Sequence, residues 1–308
     1  MTNLEQLTSN YHANGKLLLT GEYLVMHGAN ALALPLKFGQ SLTVTSTTEN
    51  SLEWQVYSPK GLWWSAKFDN HLNLLTSSNE LLAQRLKSIL HEALNLTDKN
   101  CRDLTNLKAT FHLQFNPEWG FVSSSTLMAL LGQWLIINPY KLLSLTFKGS
   151  GYDVAAALTN RPIIYQTNGD FNPTITSVEF NPPFSNNLIF FYLGSKKISS
   201  NEVKKYSQVT PPIEVIMQMN ELTSSFCKCN NLNDFQGLIL RHEELISSYI
   251  NQPSINKTIK IDGAYFKSLG GWGGDFALCA TNNVAETRTK LLELGYTTLF
   301  TYNELVIS

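Results

Sequence analysis

Four glycines in five residues, Gly270-Gly271-Trp272-Gly273-Gly274, stand directly before the apolar run Phe276 to Ala280. Glycine takes positive φ without steric cost, and its missing side chain lets another group approach the main chain. A fold that places such a loop ahead of a buried-type strand must set it at a strand end. There it either closes a hairpin or faces a ligand. A second glycine turn, Gly149-Ser150-Gly151, precedes Tyr152-Asp153 and the small residues Val154-Ala155-Ala156-Ala157. Small helix-compatible residues after such a turn hold one carboxylate, Asp153, at the mouth of a short element.

Two further segments carry chemistry. In Ala13-Asn14-Gly15-Lys16-Leu17-Leu18-Leu19-Thr20-Gly21-Glu22-Tyr23 a lysine opens an apolar strand, and a glutamate follows the strand's end. Lys16 is a point charge suited to a phosphate oxygen, with a solvated strand-start lysine as the plain alternative. In Asn116 to Thr126 a turn and the triplet Ser123-Ser124-Ser125 lead into a helix. The free N–H groups of a helix start favour an anion, although a serine N-cap needs no ligand.

The chain has 308 residues, more than one core usually holds, so two domains are expected. An apolar fraction of 43% with 15% charged residues argues against disorder. A formal net charge of −1 gives no global field for nucleic acid or an anionic lipid surface. The N-terminal residues lack a basic-then-apolar signal pattern, and no apolar stretch reaches about 18 residues. A soluble cytoplasmic protein is expected. Cys101, Cys227, Cys229 and Cys279 form no paired CxxC set and no zinc spacing, which favours reduced structural thiols.

Alternation and β-branching predict strands over 16–20, 31–36, 40–48, 52–58, 62–68, 107–115, 162–166, 188–193, 262–269, 275–280 and 298–302. Helical spacing predicts helices over 79–96, 124–137, 154–159, 201–208, 213–228, 232–250 and 284–294. Residues 167–187, rich in Asn, Pro, Thr and Ser, read as a linker or surface excursion. The domains are accordingly placed at 1–170 and 171–308.

The four segments, in this order, resemble the GHMP small-molecule kinases. GKLLLTGEYLVMHGANALALPL is similar to that family's N-terminal motif. NPEWGFVSSST stands where its phosphate loop lies, GSGYDVAAA resembles the segment with its catalytic aspartate, and SLGGWGGDFALCA its C-terminal glycine motif. The GEY and GSGYD forms lean towards the mevalonate and phosphomevalonate kinase branch. No GxxxxGK[ST] sequence occurs, so an ordinary P-loop kinase is not supported.

The resemblance implies a two-domain α+β GHMP kinase fold, with a mixed-sheet N-terminal ATP-binding domain and a ferredoxin-like C-terminal domain. It implies ATP-dependent phosphoryl transfer to a small acidic alcohol or phosphate monoester in isoprenoid precursor synthesis, with Mg2+. Asp153 would accept or orient the acceptor's proton, and Lys16 would stabilise transferring charge. Trp119, Gly120, Ser123, Ser124 and Ser125 would hold the nucleotide, with Ser124 on the metal. Glu22, Tyr23, Gly271 and Gly273 would border the acceptor. Independently of the resemblance, Lys196-Lys197 with Ser199 and Ser200, after the strand 188–193, suit an acceptor's carboxylate or phosphate, with a charged surface turn as the plain alternative. A homodimer is the family habit.

Two departures stand out. Val122 replaces a glycine of the phosphate loop, and no acidic residue occurs between Glu118 and Asp153. They keep open a degenerate, kinase-like binding or regulatory protein. Diphosphomevalonate decarboxylase shares the scaffold and is a further alternative. His242-Glu243-Glu244 lacks the second histidine of HExxH and reads as a solvated helix face. His12 and His27 read as loop or packing residues, and Trp63, Trp64 and Trp119 have core packing as their alternative to stacking on adenine.

Overall fold

The computed structural model describes residues 7–119, 124–194, 206 and 209–307. The first half of the chain runs β1 (Thr8–Leu18), β2 (Ala31–Ser46), β3 (Leu52–Ser58), β4 (Gly61–Phe68), β5 (Leu74–Ser77), α1 (Glu80–Leu94) and β6 (Leu107–Leu113). There follow α2 (Ser124–Leu135), α3 (Pro139–Thr146), α4 (Tyr152–Ala157), β7 (Ile163–Gln166), β8 (Thr174–Ser177) and β9 (Leu188–Tyr192). The last part holds α5 (Ile213–Lys228), α6 (Leu232–Ile250), α7 (Ile255–Thr258), β10 (Ala264–Leu269), β11 (Phe276–Thr281), α8 (Val284–Glu293), β12 (Leu299–Thr301) and α9 (Tyr302–Leu305). The expected helix 201–208 lies outside the described residues apart from Tyr206.

The chain gathers into two compact units, each assembled from separate stretches. One takes Met1–Asn14, Phe38–Pro117 and Val122–Lys148; the other takes Gly15–Lys37, Glu118–Phe121 and Gly149–Ser308. In the first, β3 pairs parallel with β6 and antiparallel with β4, while the second half of β2 pairs antiparallel with β6. This is a mixed sheet. Trp54 and Phe111, on paired strands, stack with centroids 4.4 Å apart in its buried core. Helix α1 turns Ala83, Leu86, Ile89, Leu90, Ala93 and Leu94 inward, and the Asn79 side chain caps it by accepting from the Leu82 N–H.

In the second unit the first half of β2 pairs with β7, and β7 with β8. A separate antiparallel sheet has the order β10-β11-β9-β12. Ile189, Phe191, Phe266, Ala277, Cys279 and Leu291 form one of its cores. All four cysteines are unpaired; burial pushes the Cys227 thiol up to about 11 and Cys279 up to about 12, so both stay protonated.

Three expectations need correction. Strands 31–36 and 40–48 are one strand, β2, because its two halves find different partners, β7 and β6. The expected linker 167–187 contains β8, whose Thr-Ile-Thr run pairs with β7 while every residue stays exposed, as on a sheet edge. Pro139 does more than stop α2: it occupies the first turn of α3, where its missing N–H costs nothing, and Asn138 caps the new helix by accepting from the N–H groups of Tyr140 and Lys141.

Candidate functional site

The N-terminal motif is a loop between β1 and β2, and its geometry is set by glycine. Gly21 has φ +96°, and a Cβ there would lie 2.8 Å from the Ala31 Cβ, so only glycine fits. Two residues on, Tyr23 adopts φ 61° and ψ −44°. The Leu24 N–H donates to the Glu22 carbonyl at 2.6 Å across it. This is the strained form of γ-turn, which persists only where its surroundings over-determine it. They do so here. The Thr20 and Thr223 hydroxyls are 2.8 Å apart, and the Asn30 N–H donates to the Asn220 side chain at 2.7 Å, so α5 clamps both ends of the loop. Tyr23 and Leu24 pack with Met219, Ile246 and Trp272. Lys16 sits half-buried on β1.

Glu22 lies at the centre of a buried charge cluster. Its Oε1 accepts from the Lys267 ammonium at 2.7 Å, and its Oε2 is 2.9 Å from His242 Nε2; the three side chains are 0–1% exposed. The imidazole N–H is out of line for a hydrogen bond, so that contact is electrostatic. Burial pushes the Glu22 carboxyl up, but Lys267 foremost, and then His242, outweigh it and hold it below the usual range. Burial and the Lys267 charge together push His242 down, so its ring is neutral at neutral pH and Lys267 is the counter-charge of Glu22. Neighbouring Glu243, also buried, accepts from Ser254 Oγ, Ile255 N and Ser268 N at 2.9, 3.1 and 2.7 Å. His242 and Glu243 are therefore core residues of α6, and the reading of a solvated helix face is corrected.

Each of the other two glycine segments carries an acid, Asp153 or Asp275. Gly151, at φ 89°, starts α4 and puts Asp153 in its first turn, where its carboxylate accepts from the Val154 N–H at 3.0 Å. The Tyr165 hydroxyl donates to the Ser150 carbonyl and fastens the turn to β7. Burial, then the carboxylates of Asp153, Glu22 and Asp275, push the Tyr152 phenol well above its ordinary value. Three acids from three segments far apart in sequence thus act on one hydroxyl, which stays protonated. In the glycine loop the Trp272 N–H donates to Tyr23 Oη at 2.8 Å and its indole N–H to the Pro253 carbonyl at 2.9 Å. The Gly274 N–H donates to the Gly271 carbonyl at 3.1 Å, and Gly273 and Asp275 take positive φ.

The remaining candidates divide. Ser124 opens α2 and Ser125 is buried just inside it, where Thr126 donates to Gln40 Oε1 at 2.8 Å. Trp119 packs edge-on against Phe300 and Phe276, with centroids 5.4 and 6.3 Å away. His27 Nε2 lies 3.0 Å from the Tyr206 carbonyl and His12 Nε2 3.0 Å from Asn14 Oδ1, both packing contacts. Gly120, Ser123, Lys196, Lys197, Ser199 and Ser200 lie outside the described residues. Among the described residues no cluster of three or more His, Cys, Asp or Glu side chains could hold a metal ion, and no helix is long and apolar enough to cross a membrane. Sequence reasoning missed Lys267, Trp272, Tyr152 and Asp275.

No protein-family model matches this sequence, and no curated protein matches it significantly. Solved structures do. Phosphomevalonate kinase of Streptococcus pneumoniae, in complex with phosphomevalonate and AMPPNP, superposes with a TM-score of 0.69 over 95% of this chain and 99% of that one, at 16% identity. Mevalonate kinase of Methanococcus jannaschii gives 0.65 over 100% of both chains at 14% identity. This is the GHMP-kinase fold. Galactokinase of Lactococcus lactis, complexed with galactose, shares it at 0.67 and 13% identity, covering 97% of this chain and 93% of that one. The GHMP-kinase fold agrees with the α+β architecture observed here, a mixed sheet and a smaller antiparallel one.

Proposed function

We propose that this chain is an ATP-dependent phosphotransferase whose acceptor is a small acidic alcohol or phosphate monoester, mevalonate or phosphomevalonate first among them. The observation that carries the reading is the hydrogen bond from the Trp272 N–H to Tyr23 Oη, which joins the C-terminal glycine loop to the turn that follows Glu22. It links two of the four motif segments by direct contact, and the Asp153, Glu22 and Asp275 carboxylates all bear on the Tyr152 phenol of a third. Phosphoryl transfer depends on such positioning and on charge stabilisation, with little covalent chemistry. Asp153 would accept or orient the acceptor's proton, and Lys16 would stabilise charge on the transferring group. Gly271 and Gly273, with Tyr23, would border the acceptor.

The chemistry of α2 fits a triphosphate. The helix starts at Ser124 with no acidic residue in its first turn, so no carboxylate there opposes an anion at its positive end. Gly120, Ser123, Ser124, Ser125 and Trp119 are the proposed nucleotide residues. Mg2+ held by Ser124 and the phosphate oxygens would neutralise developing charge. Lys197 and Ser199 are proposed for the acceptor's anionic group. The domain limits 1–170 and 171–308, cytoplasmic residence and a homodimer complete the reading.

A second reading, a nucleotide-binding relative without turnover, is favoured by Glu22, whose carboxylate is consumed by an internal ion pair. Coupled ADP release against mevalonate, its phosphate and its diphosphate separates the two, and carbon dioxide release with the diphosphate identifies a decarboxylase. Asp153→Asn is expected to lower turnover at least about a hundredfold while calorimetry finds nucleotide affinity intact. Unchanged turnover refutes the role of Asp153. Phosphomevalonate is expected to outcompete mevalonate, and Lys197→Ala to lose that preference.

A further inference from the structure

Glu22 follows the glycine of the N-terminal motif, where a carboxylate facing the acceptor is expected. Its surroundings give it another task. Both oxygens are enclosed, one on Lys267 and one facing His242. Lys267 stands on β10, three residues before Gly270, and its ammonium also donates to the Ser268 carbonyl at 2.9 Å. From Glu22 the chain passes into the strained turn at Tyr23. The Tyr23 hydroxyl accepts the N–H of Trp272, inside the same glycine loop that Lys267 precedes. The contacts close a circuit: β10 to Glu22, Glu22 to Tyr23, Tyr23 back to the loop that β10 feeds. A second circuit braces it. Glu243 accepts from Ser268, Ser254 and Ile255, and the Trp272 indole donates to Pro253.

We propose that Lys267 is a positioning residue: by locking Glu22 in an internal ion pair it fixes the Tyr23 turn and, through it, holds the Gly270–Gly274 loop in its working form. Glu22 is then a strut and not a ligand of the acceptor. The catalytic half of this inference rests on the phosphotransferase reading; the structural half does not. A lock of this kind explains how the Tyr23 backbone strain persists. The ion pair on one side and the Trp272 amide on the other add to the α5 clamp and the packing of Tyr23 against Met219, Ile246 and Trp272, which together over-determine the turn.

Hydrogen exchange at the Trp272 amide in the full chain tests the lock directly. Lys267→Met and Glu22→Gln are each expected to speed exchange of that amide between about two- and thirtyfold, the range of energetic coupling through a packed network. Leu90→Ala, which opens the core under α1 in the other unit, controls for loss of general stability and is expected to leave that amide's exchange unchanged relative to other protected amides. Kinetic measurement of the same variants, at a temperature where each is folded, tests the consequence. Lys267→Met is expected to lower kcat while the acceptor's KM moves little, and Lys267→Arg to restore part of it. Trp272 exchange unaltered by Lys267→Met overturns the lock, whatever the activity. Faster exchange with full kcat overturns the positioning role. Faster exchange in a chain whose wild type turns over no acceptor confirms the lock and removes the phosphotransferase reading alone.

Discussion

Replacing Lys267 by methionine should weaken the further loss of stability on acidification below neutrality. The Glu22 carboxylate is 1% exposed and the Lys267 side chain 0%, so the substitution leaves a buried charge without its counter-ion. Breaking such a pair costs about 3–5 kcal/mol. His242 is the group placed to respond, with Nε2 2.9 Å from Glu22 Oε2. In the wild type its pKa is held down by burial first and by Lys267 second, against the pull of Glu22. Its folded value therefore lies below the unfolded 6.5, and as pH falls through that window the unfolded chain takes up a proton first, so wild-type stability declines on acidification. Glu22, held below 4.5, loses its contribution only at lower pH. Without Lys267 one depressing cause is gone while burial and Glu22 remain, so the folded value of His242 moves up towards the unfolded one. The unfolded chain's lead in proton uptake then narrows, and the variant loses less further stability on acidification than the wild type does. Each unit of that rise returns about 1.36 kcal/mol of the initial loss at pH below both values. Urea-unfolding midpoints of wild type and Lys267→Met from neutral to mildly acidic pH, read by tryptophan fluorescence, measure the difference. Lys267→Met/His242→Gln should be flat over the same interval. Parallel pH curves for wild type and Lys267→Met would refute the assignment of His242 as the responding group.

Two further outcomes follow from the N-terminal loop. Gly21→Ala forces a side chain into φ +96° and to within 2.8 Å of the Ala31 Cβ, so thermal unfolding should show a loss of at least about 1–3 kcal/mol; an unaltered melting temperature would mean that the loop is not held as described. Tyr23→Phe removes the acceptor of the buried Trp272 N–H, and equilibrium unfolding should register a cost of about 1–3 kcal/mol, with a neutral result showing that the amide has another partner.

The glycine segments and the element order were legible because both are local signals. Gly21 and Gly151 hold positive φ where the sequence set a turn, and α1, α5, α6 and β9 follow their apolar periodicity closely. The charge cluster was not legible, since Glu22, His242 and Lys267 lie far apart in sequence and are brought together only by the fold. Yet two traces of it were present. The inward face of α6 runs Phe235, Leu238, Ile239, Ile246 and Ile250, and helical spacing places His242 and Glu243 on that same face. Lys267 likewise stands in a short strand whose last four residues are all buried, where an ammonium needs a counter-ion. An ionisable residue in phase with a core, met twice in one chain with opposite charges available, predicts an internal pair. Glu22, already marked by the neighbouring Gly21 as part of a tightly folded loop, was the acid left to complete it.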